Sequence, residues 1–312
     1  MIPDDELTTV EFHKPTFLPC VPDRTSRTGY SFGAFAADGM AIEAFKHGWC
    51  TFRKPEPGAL HLNSMAIYGG MLMNHFGHFL VEAMSRLWFI QERPQLPILW
   101  HSISLPVAHT PWPGWMDEVW ALLGLRARHH HIILKPVQCD AVILPRPGLV
   151  ATNRLHPRQV AALACVRESN TSVGRRVWLS RAGLPPQFGR IEREEVVEAS
   201  LVARGWTVVR PETLAVAAQA GIFAHADTVA GFAGSAFHAV LLTVAPRSRL
   251  LLVERPSVHR SYYEAIAVAR NLKQIDIPAA LEARGPMNAW TTFCLTDPQG
   301  VADAVSAAAE SA

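Results

Sequence analysis

The chain has 312 residues, of which 49% are hydrophobic and 18% charged, with a formal net charge of +2. That apolar content supports a sizeable core, and the length favours two domains over one. A near-neutral balance leaves no electrostatic footprint for nucleic acid, and no apolar run reaches the roughly 18 residues a membrane-spanning helix needs.

The basic residues are mostly Arg, whose planar forks bind phosphate and carboxylate in two-pronged fashion. The opening MIPDDELTTV has neither a basic start nor a signal-peptide apolar block, so the expected location is cytoplasmic. Cys20, Cys50, Cys139, Cys165 and Cys294 lie far apart with no Cys-x-x-Cys pair, and read as reduced, buried packing residues.

Turn signals at 38–39 (DG) and 55–58 (PEPG) predict short strands and loops up to about residue 60. LHLNSMAIYGG (60–70) reads as a strand ending at Gly69-Gly70, and NHFGHFLVEAMSRLW (74–88) as a helix of about four turns. A buried strand (96–102), a helix (113–125) and one or two strands (130–145) follow, then a helix over 156–168. From there the alternation is regular: strands at 175–181, 206–211, 227–234 and 249–256, each followed by a helix, at 193–205, 214–226, 235–242 and 262–271. Such repeats build a parallel, doubly wound sheet whose ligands bind beyond the carboxyl ends of the strands. The expected class is α/β, with domains at 1–150 and 151–290 and a C-terminal helix fraying into an Ala-rich tail at 291–312.

On the helix at 74–88, Asn74, His78, Glu82 and Arg86 fall on one stripe opposite Phe76, Phe79, Leu80, Ala83 and Leu87. Residues four apart touch, so Glu82 can hold the His78 imidazole and Arg86 can pair with Glu82, an arrangement suited to abstracting a hydroxyl proton. The plainer alternative is a solvated face with an ordinary ion pair. Gly69, Gly70 and Gly77 weigh against it, because glycine lets backbone approach a ligand. His75 and His78 lack a third ligand at zinc-like spacing, and HHH (129–131) reads as a turn with one inward residue, so no metal is expected.

In the second half, Gly231 and Gly234 stand between a strand and a helix beginning at Ser235, where exposed N–H groups favour an anion such as a diphosphate. Arg181 ends a strand, and Arg190 follows a loop with Pro185, Pro186 and Gly189; both could reach phosphate oxygens. Glu212 and Glu254 lie just past strand ends, where a carboxylate can accept ribose hydroxyls. Taken singly these are tight βα turns, solvated arginines and helix-capping acids. Together they fall on one rim of the sheet.

GGMLMNHFGHFLVEAMSRLW (69–88), LSR with RIEREEVVEASLVARGW (179–206), VVRPETLAVAAQAGIFAHADTVAGFAGSAFHAVLL (208–242) and LLLVERP (250–256) resemble glycosyltransferase family 61, which includes bacterial capsule and lipopolysaccharide-type enzymes. The resemblance implies two Rossmann-like domains facing a cleft, the B-type glycosyltransferase fold, with the acceptor side first and the donor side second. It also implies inverting transfer from a nucleoside-diphosphate sugar, UDP-type above others, to a glycan or lipid-linked hydroxyl, with no essential metal or other cofactor. On this mapping Gly77, His78 and Glu82 match the Gly-His-Phe-Leu-x-Glu segment, with Gly70, Asn74 and Arg86 on the acceptor side; Arg181, Arg190, Glu212, Gly231, Gly234, Ser235 and His238 match the donor side, with Glu254 beside them. Arg193, Ala233 and Ala239 stand where the family often has Asn, His and Asn.

Either His78 or Glu82 is the expected base. An unperturbed imidazole titrates near ~6.5 and favours His78. A lipid-linked acceptor would bring the protein to the inner membrane face, although no strongly basic amphipathic helix argues for attachment. The alternatives are a non-catalytic nucleotide-sugar binder and an epimerase or hydrolase on the same scaffold.

Overall fold

The computed structural model describes residues 6–26, 29–45, 50–54, 57–103, 113–150, 154–167, 173–185, 188–256, 260–285 and 291–311. Residues 55 and 56 of the PEPG turn, Glu168 at the expected end of a helix, and Pro186 lie outside them. The chain divides into two compact units, one made of Met1–Val150 with His156–Leu163 and the other of Ala151–Leu155 with Ala164–Ala312. No helix among the described residues is long and apolar enough to cross a membrane.

The first unit holds β1 (Thr9–His13), β2 (Thr16–Pro22), β3 (Tyr30–Phe35), β4 (Thr51–Phe52), β5 (Leu60–Met73), β6 (Ile98–Ile103), β7 (His130–Ile132), β8 (Val137–Pro145) and β9 (Leu149–Val150). Its main sheet runs β4-β3-β2-β8-β5-β6-β7, with β1 also paired to β8. The strands β7-β6-β5-β8 are parallel, whereas β1 and β2 run antiparallel to β8. The sheet is therefore mixed: its run of adjacent parallel strands is four long, and β3 and β4 form a separate parallel pair. Helices α1 (Phe76–Val81), α2 (Leu87–Ile90), α3 (Gly114–Leu122) and α4 (Pro157–Leu163) complete the unit. Phe17, Tyr68, Leu99 and Val142 anchor one of its cores.

Gly69 and Gly70 do not end β5, which continues to Met73. A Cβ on Gly69 would meet the Trp100 ring at 2.4 Å, and one on Gly70, at φ +124, would meet the Arg86 guanidinium at 2.9 Å. The register of β5 against β6 shifts at this point. The glycines accommodate a tryptophan and an arginine. Beneath them, Tyr68 and His101 are almost fully buried. The Leu18 carbonyl can only accept, so His101 Nε2 donates to it at 2.9 Å and Nδ1 accepts the Tyr68 hydroxyl at 2.8 Å. Burial pushes the Tyr68 phenol well above its ordinary range.

The second unit contains β10 (Arg154–Leu155), β11 (Arg176–Leu179), β12 (Ile191–Glu192), β13 (Thr207–Val209), β14 (Thr228–Phe232), β15 (Arg249–Val253), β16 (Gln274–Ile277), β17 (Leu281–Ala283) and β18 (Phe293–Leu295). Its main sheet is wholly parallel in the order β13-β11-β14-β15-β16. Counted from β11 this is 2-1-3-4-5, so the winding reverses between β11 and β14, and their carboxyl ends form the crevice where such sheets bind ligands. The helices are α5 (Glu194–Val202), α6 (Val216–His225), α7 (Arg260–Ala269) and α8 (Pro298–Glu310). The segment Ser235–Leu242 winds as a 3-10 helix instead of the expected α-helix.

The C-terminal helix does not fray as its Ala content suggests. Asp297 caps it by accepting the Gly300 N–H at 2.8 Å, and Pro298 supplies the first helical residue. Val301, Ala302 and Val305 then enter the same core as Trp178, Phe232, Leu251 and Val253.

Candidate functional site

The stretch 74–88 is not one helix. Asn74 lies in an exposed bend, so it is not part of the expected stripe. His75 caps α1, its Nδ1 accepting the His78 N–H at 3.2 Å, and Glu82 closes it with its own N–H bonded to the His78 carbonyl. Gly77, Phe79, Leu80 and Val81 are buried and fix the helix on the unit. The expected i,i+4 contact is present: His78 Nδ1 and Glu82 Oε1 are 2.7 Å apart, with the imidazole about one-third exposed. An ionised carboxylate can only accept, so Nδ1 carries the proton and Nε2 is the basic nitrogen.

After Glu82 the backbone tightens into a 3-10 turn, Ala83–Arg86, and the fourth member leaves the stripe. Arg86 does not pair with Glu82. Its Nε donates to the Pro145 carbonyl at 2.9 Å, one terminal nitrogen donates to the Gly69 carbonyl at 3.4 Å, and the guanidinium sits 5.6 Å over the Tyr68 ring. Pairing of β5 with β8 stops at Ile67 and Ile143, so Arg86 ties the two strands together where they part. Desolvation lowers its pKa. Arg86 and Gly70 thus form a structural clamp.

In the second unit, Arg181 follows β11 at the winding reversal. It is 9% exposed, and donates to the carbonyls of Phe188 at 2.6 Å and Gly189 at 3.2 Å. Gly234 permits this: its φ of −175 is ordinary, but a Cβ there would stand 2.5 Å from the guanidinium. Gly231 has another task. It lies inside β14, not in the turn, and a Cβ would strike the Leu179 carbonyl at 2.8 Å. Ser235 opens the 3-10 helix, and His238, on the same helix, stacks on Tyr263 with centroids 5.2 Å apart. Glu212 is exposed beyond β13, against Gly183.

A residue that pattern reading missed completes the cluster. Arg255, next to Glu254, donates to the same Gly189 carbonyl at 3.2 Å. The Nε atoms of Arg181, Arg190 and Arg255 are all buried without a hydrogen-bond partner, and among the described residues none of the three arginines forms an ion pair. Desolvation and the neighbouring Arg181 push Arg255 down to about 10, and desolvation also lowers Arg181. The nearest buried acid offers little compensation. Glu194 is 0% exposed, accepts the Arg181 and Trp178 N–H groups at 2.9 and 3.1 Å, and is pushed up to about 8, chiefly by desolvation.

A cavity of about 260 Å³ adjoins the cluster and is lined in part by Arg255, Tyr263, Glu254, Arg260, Gln274 and Asp276. Arg260 bonds Glu254 at 2.9 Å and also pairs with Asp276. The histidine run serves structure, His130 taking the Trp100 indole N–H at 3.1 Å and bonding the Leu125 carbonyl. Among the described residues, no three His, Cys, Asp or Glu side chains cluster as a metal site.

No curated protein sequence matches the chain. A family profile described as Glycosyltransferase 61 matches residues 76–262, more than half of the chain. The match begins at α1 and ends inside α7, taking in His78, Glu82, Arg181, Arg190, the Gly231–Ser235 segment and Arg255, and leaving Gly70 and Asn74 outside. The chain therefore belongs to glycosyltransferase family 61, enzymes that move a sugar from a donor to an acceptor.

Proposed function

We propose that the protein is an inverting glycosyltransferase that uses a nucleoside-diphosphate sugar, UDP-type above others, and delivers it to a hydroxyl of a glycan or lipid-linked acceptor without a metal. The observation that carries the reading is the pair Arg181 and Arg255 at the winding reversal, desolvated and without ion-pair partners, with Arg190 Nε also buried and without a hydrogen-bond partner. Uncompensated buried cations are costly, and a diphosphate supplies the missing charge. The parallel order β7-β6-β5-β8 in one unit and 2-1-3-4-5 in the other supports two Rossmann-like halves of the B type.

In the reaction so read, Glu82 holds the Nδ1–H of His78, and Nε2 takes the proton of the acceptor hydroxyl as its oxygen attacks the anomeric carbon. The bond to the diphosphate breaks as the new one forms, so configuration inverts. The charge arriving on the leaving phosphate falls to the three arginines and to the N–H groups at Ser235, a role that preorganised donors fill in phosphoryl-leaving chemistry. Catalysis requires Nε2 of His78 and the donor's anomeric carbon to meet. We place the reaction in the cytoplasm, at the inner membrane face when the acceptor is a capsule- or lipopolysaccharide-type lipid-linked glycan.

The test is a thermal-shift and calorimetric screen of nucleoside diphosphates in chelator, with Arg255→Met and His78→Ala alongside. UDP is expected to bind the native protein and His78→Ala equally and Arg255→Met at least tenfold more weakly. Binding only when a divalent cation is restored would overturn metal independence. Equal binding by Arg255→Met would remove the arginine cluster from the donor site.

A further inference from the structure

All five cysteines are free, as the sequence suggests, but two of them meet. Cys20 on β2 and Cys50, just ahead of β4, bring their sulfurs to 3.4 Å in hydrogen-bond contact. Thirty residues separate them in sequence, but β2 and β4 flank β3, and the β2–β3 register shifts between Leu18 and Val21, next to Cys20. Cys50 is 4% exposed, and Cys20 is only partly buried, which gives a reagent access to one sulfur of the pair. Both belong to a cluster with Phe32, Met71, Ile103 and Met73. Met71 and Met73 end β5, immediately before the Asn74–Glu82 segment that carries the His78–Glu82 pair.

We propose that Cys20 and Cys50 are a dithiol modification site that a small-molecule disulfide converts to an intramolecular disulfide. The thiolate of the pair attacks one sulfur of RS–SR, forming a mixed disulfide and releasing RS⁻. The second cysteine, as thiolate, attacks the protein-bound sulfur and expels the second RS⁻. The net change is two cysteine thiols and one RS–SR giving one protein disulfide and two RSH, so electrons and protons balance. Exposure puts the first attack at Cys20, whose pKa the bond to Cys50 and burial raise and the Arg53 guanidinium lowers, while Cys50, whose pKa that bond lowers, is held 3.4 Å away as the thiolate of the second attack. Closing the bond requires the sulfurs to approach by roughly 1.4 Å, since an S–S bond is ~2.05 Å long. Among the described residues, Cys139, Cys165 and Cys294 have no sulfur partner in hydrogen-bond contact, and they serve as internal controls.

The experiment uses the full chain, freed of reductant and incubated with oxidised glutathione, then alkylated and weighed intact. The expected product has lost two hydrogens and two alkylation sites, gives a peptide linking Cys20 to Cys50, and melts roughly 5 to 10 °C higher than the reduced protein. Dithiothreitol is expected to restore both sites. Cys50→Ser should instead stop at a stable glutathione adduct on Cys20. The proposal is overturned if the wild-type protein keeps all five alkylatable thiols at saturating oxidised glutathione, accumulates only mixed adducts, or links any other pair. Because the decisive reading is on the unmutated chain, a variant that fails to fold leaves it standing or falling on its own.

Discussion

Replacing His78 with alanine removes the basic nitrogen but leaves the arginine cluster untouched, so the two halves of the proposed chemistry separate at this residue. Turnover is expected to fall roughly 10² to 10⁴-fold with donor affinity unchanged. Glu82→Gln, which keeps an acceptor for Nδ1–H but cannot balance an imidazolium, should lose less. Steady-state transfer rates beside calorimetric donor binding check both, and the reverse ranking would make Glu82 the base. Arg255→Met presents the opposite trade. Removing a desolvated cation beside Arg181 should stabilise the unliganded protein by about 1 kcal/mol while abolishing the stabilisation by UDP, a cost in stability accepted for function. Melting curves with and without UDP decide it. The His78–Glu82 contact was legible because helical spacing alone places residues four apart. Arg255 was not: beside Glu254 at a strand end it reads as one more solvated arginine, and only the fold brings it to the Gly189 carbonyl that Arg181 also uses.

Among the elements, β5 and β14 show where glycine misleads. Gly69-Gly70 read as a strand terminator because glycine punctuates most strands, yet here it admits Trp100 and Arg86 from neighbouring elements. Nothing local in the sequence reports that crowding. In β14 and just beyond it, Gly231 and Gly234 are expected to answer differently to alanine. At Gly231 the obstacle is the Leu179 backbone, which cannot move without opening the sheet, so a loss of about 2 kcal/mol or more is expected in urea unfolding. At Gly234 the obstacle is the Arg181 side chain, which can swing aside, so the protein should fold with less than about 1 kcal/mol lost and bind UDP at least tenfold more weakly. The parallel alternation of the second unit was legible over 175–271 because each buried strand is a short apolar run between turn signals. The expected single helix over 74–88 was broken because its residues are buried on more than one face, which no single stripe describes.

For the molecule as a whole, Glu194 sets a pH dependence. Its folded-state carboxyl titrates at about 8 against an ordinary value of 4.5, so between these the folded protein holds more protons than the unfolded chain. Stability is therefore fullest below pH 4.5 as far as this group is concerned, and declines as pH rises through about 8. Glu194→Gln keeps an acceptor for the N–H groups of Trp178 and Arg181 and should flatten that decline, gaining on the order of a few kcal/mol above pH 8. Urea midpoints from pH 5 to pH 9 measure it; parallel curves for the two proteins would show that Glu194 does not titrate there.

The path of the backbone between the units carries its own consequence. After Val150 the chain enters the second unit for five residues, returns for His156–Leu163, and leaves again. Within that returning piece Gln159 is 0% exposed, accepting the Trp88 N–H at 3.1 Å and donating to the Met84 carbonyl at 2.7 Å. A gene split at codon 150 would strand this plug on the wrong polypeptide and strip two backbone groups of their partners, whereas a break after 163 keeps it with the fragment that needs it. Independent expression of the halves should thus succeed or fail on thirteen amino acids.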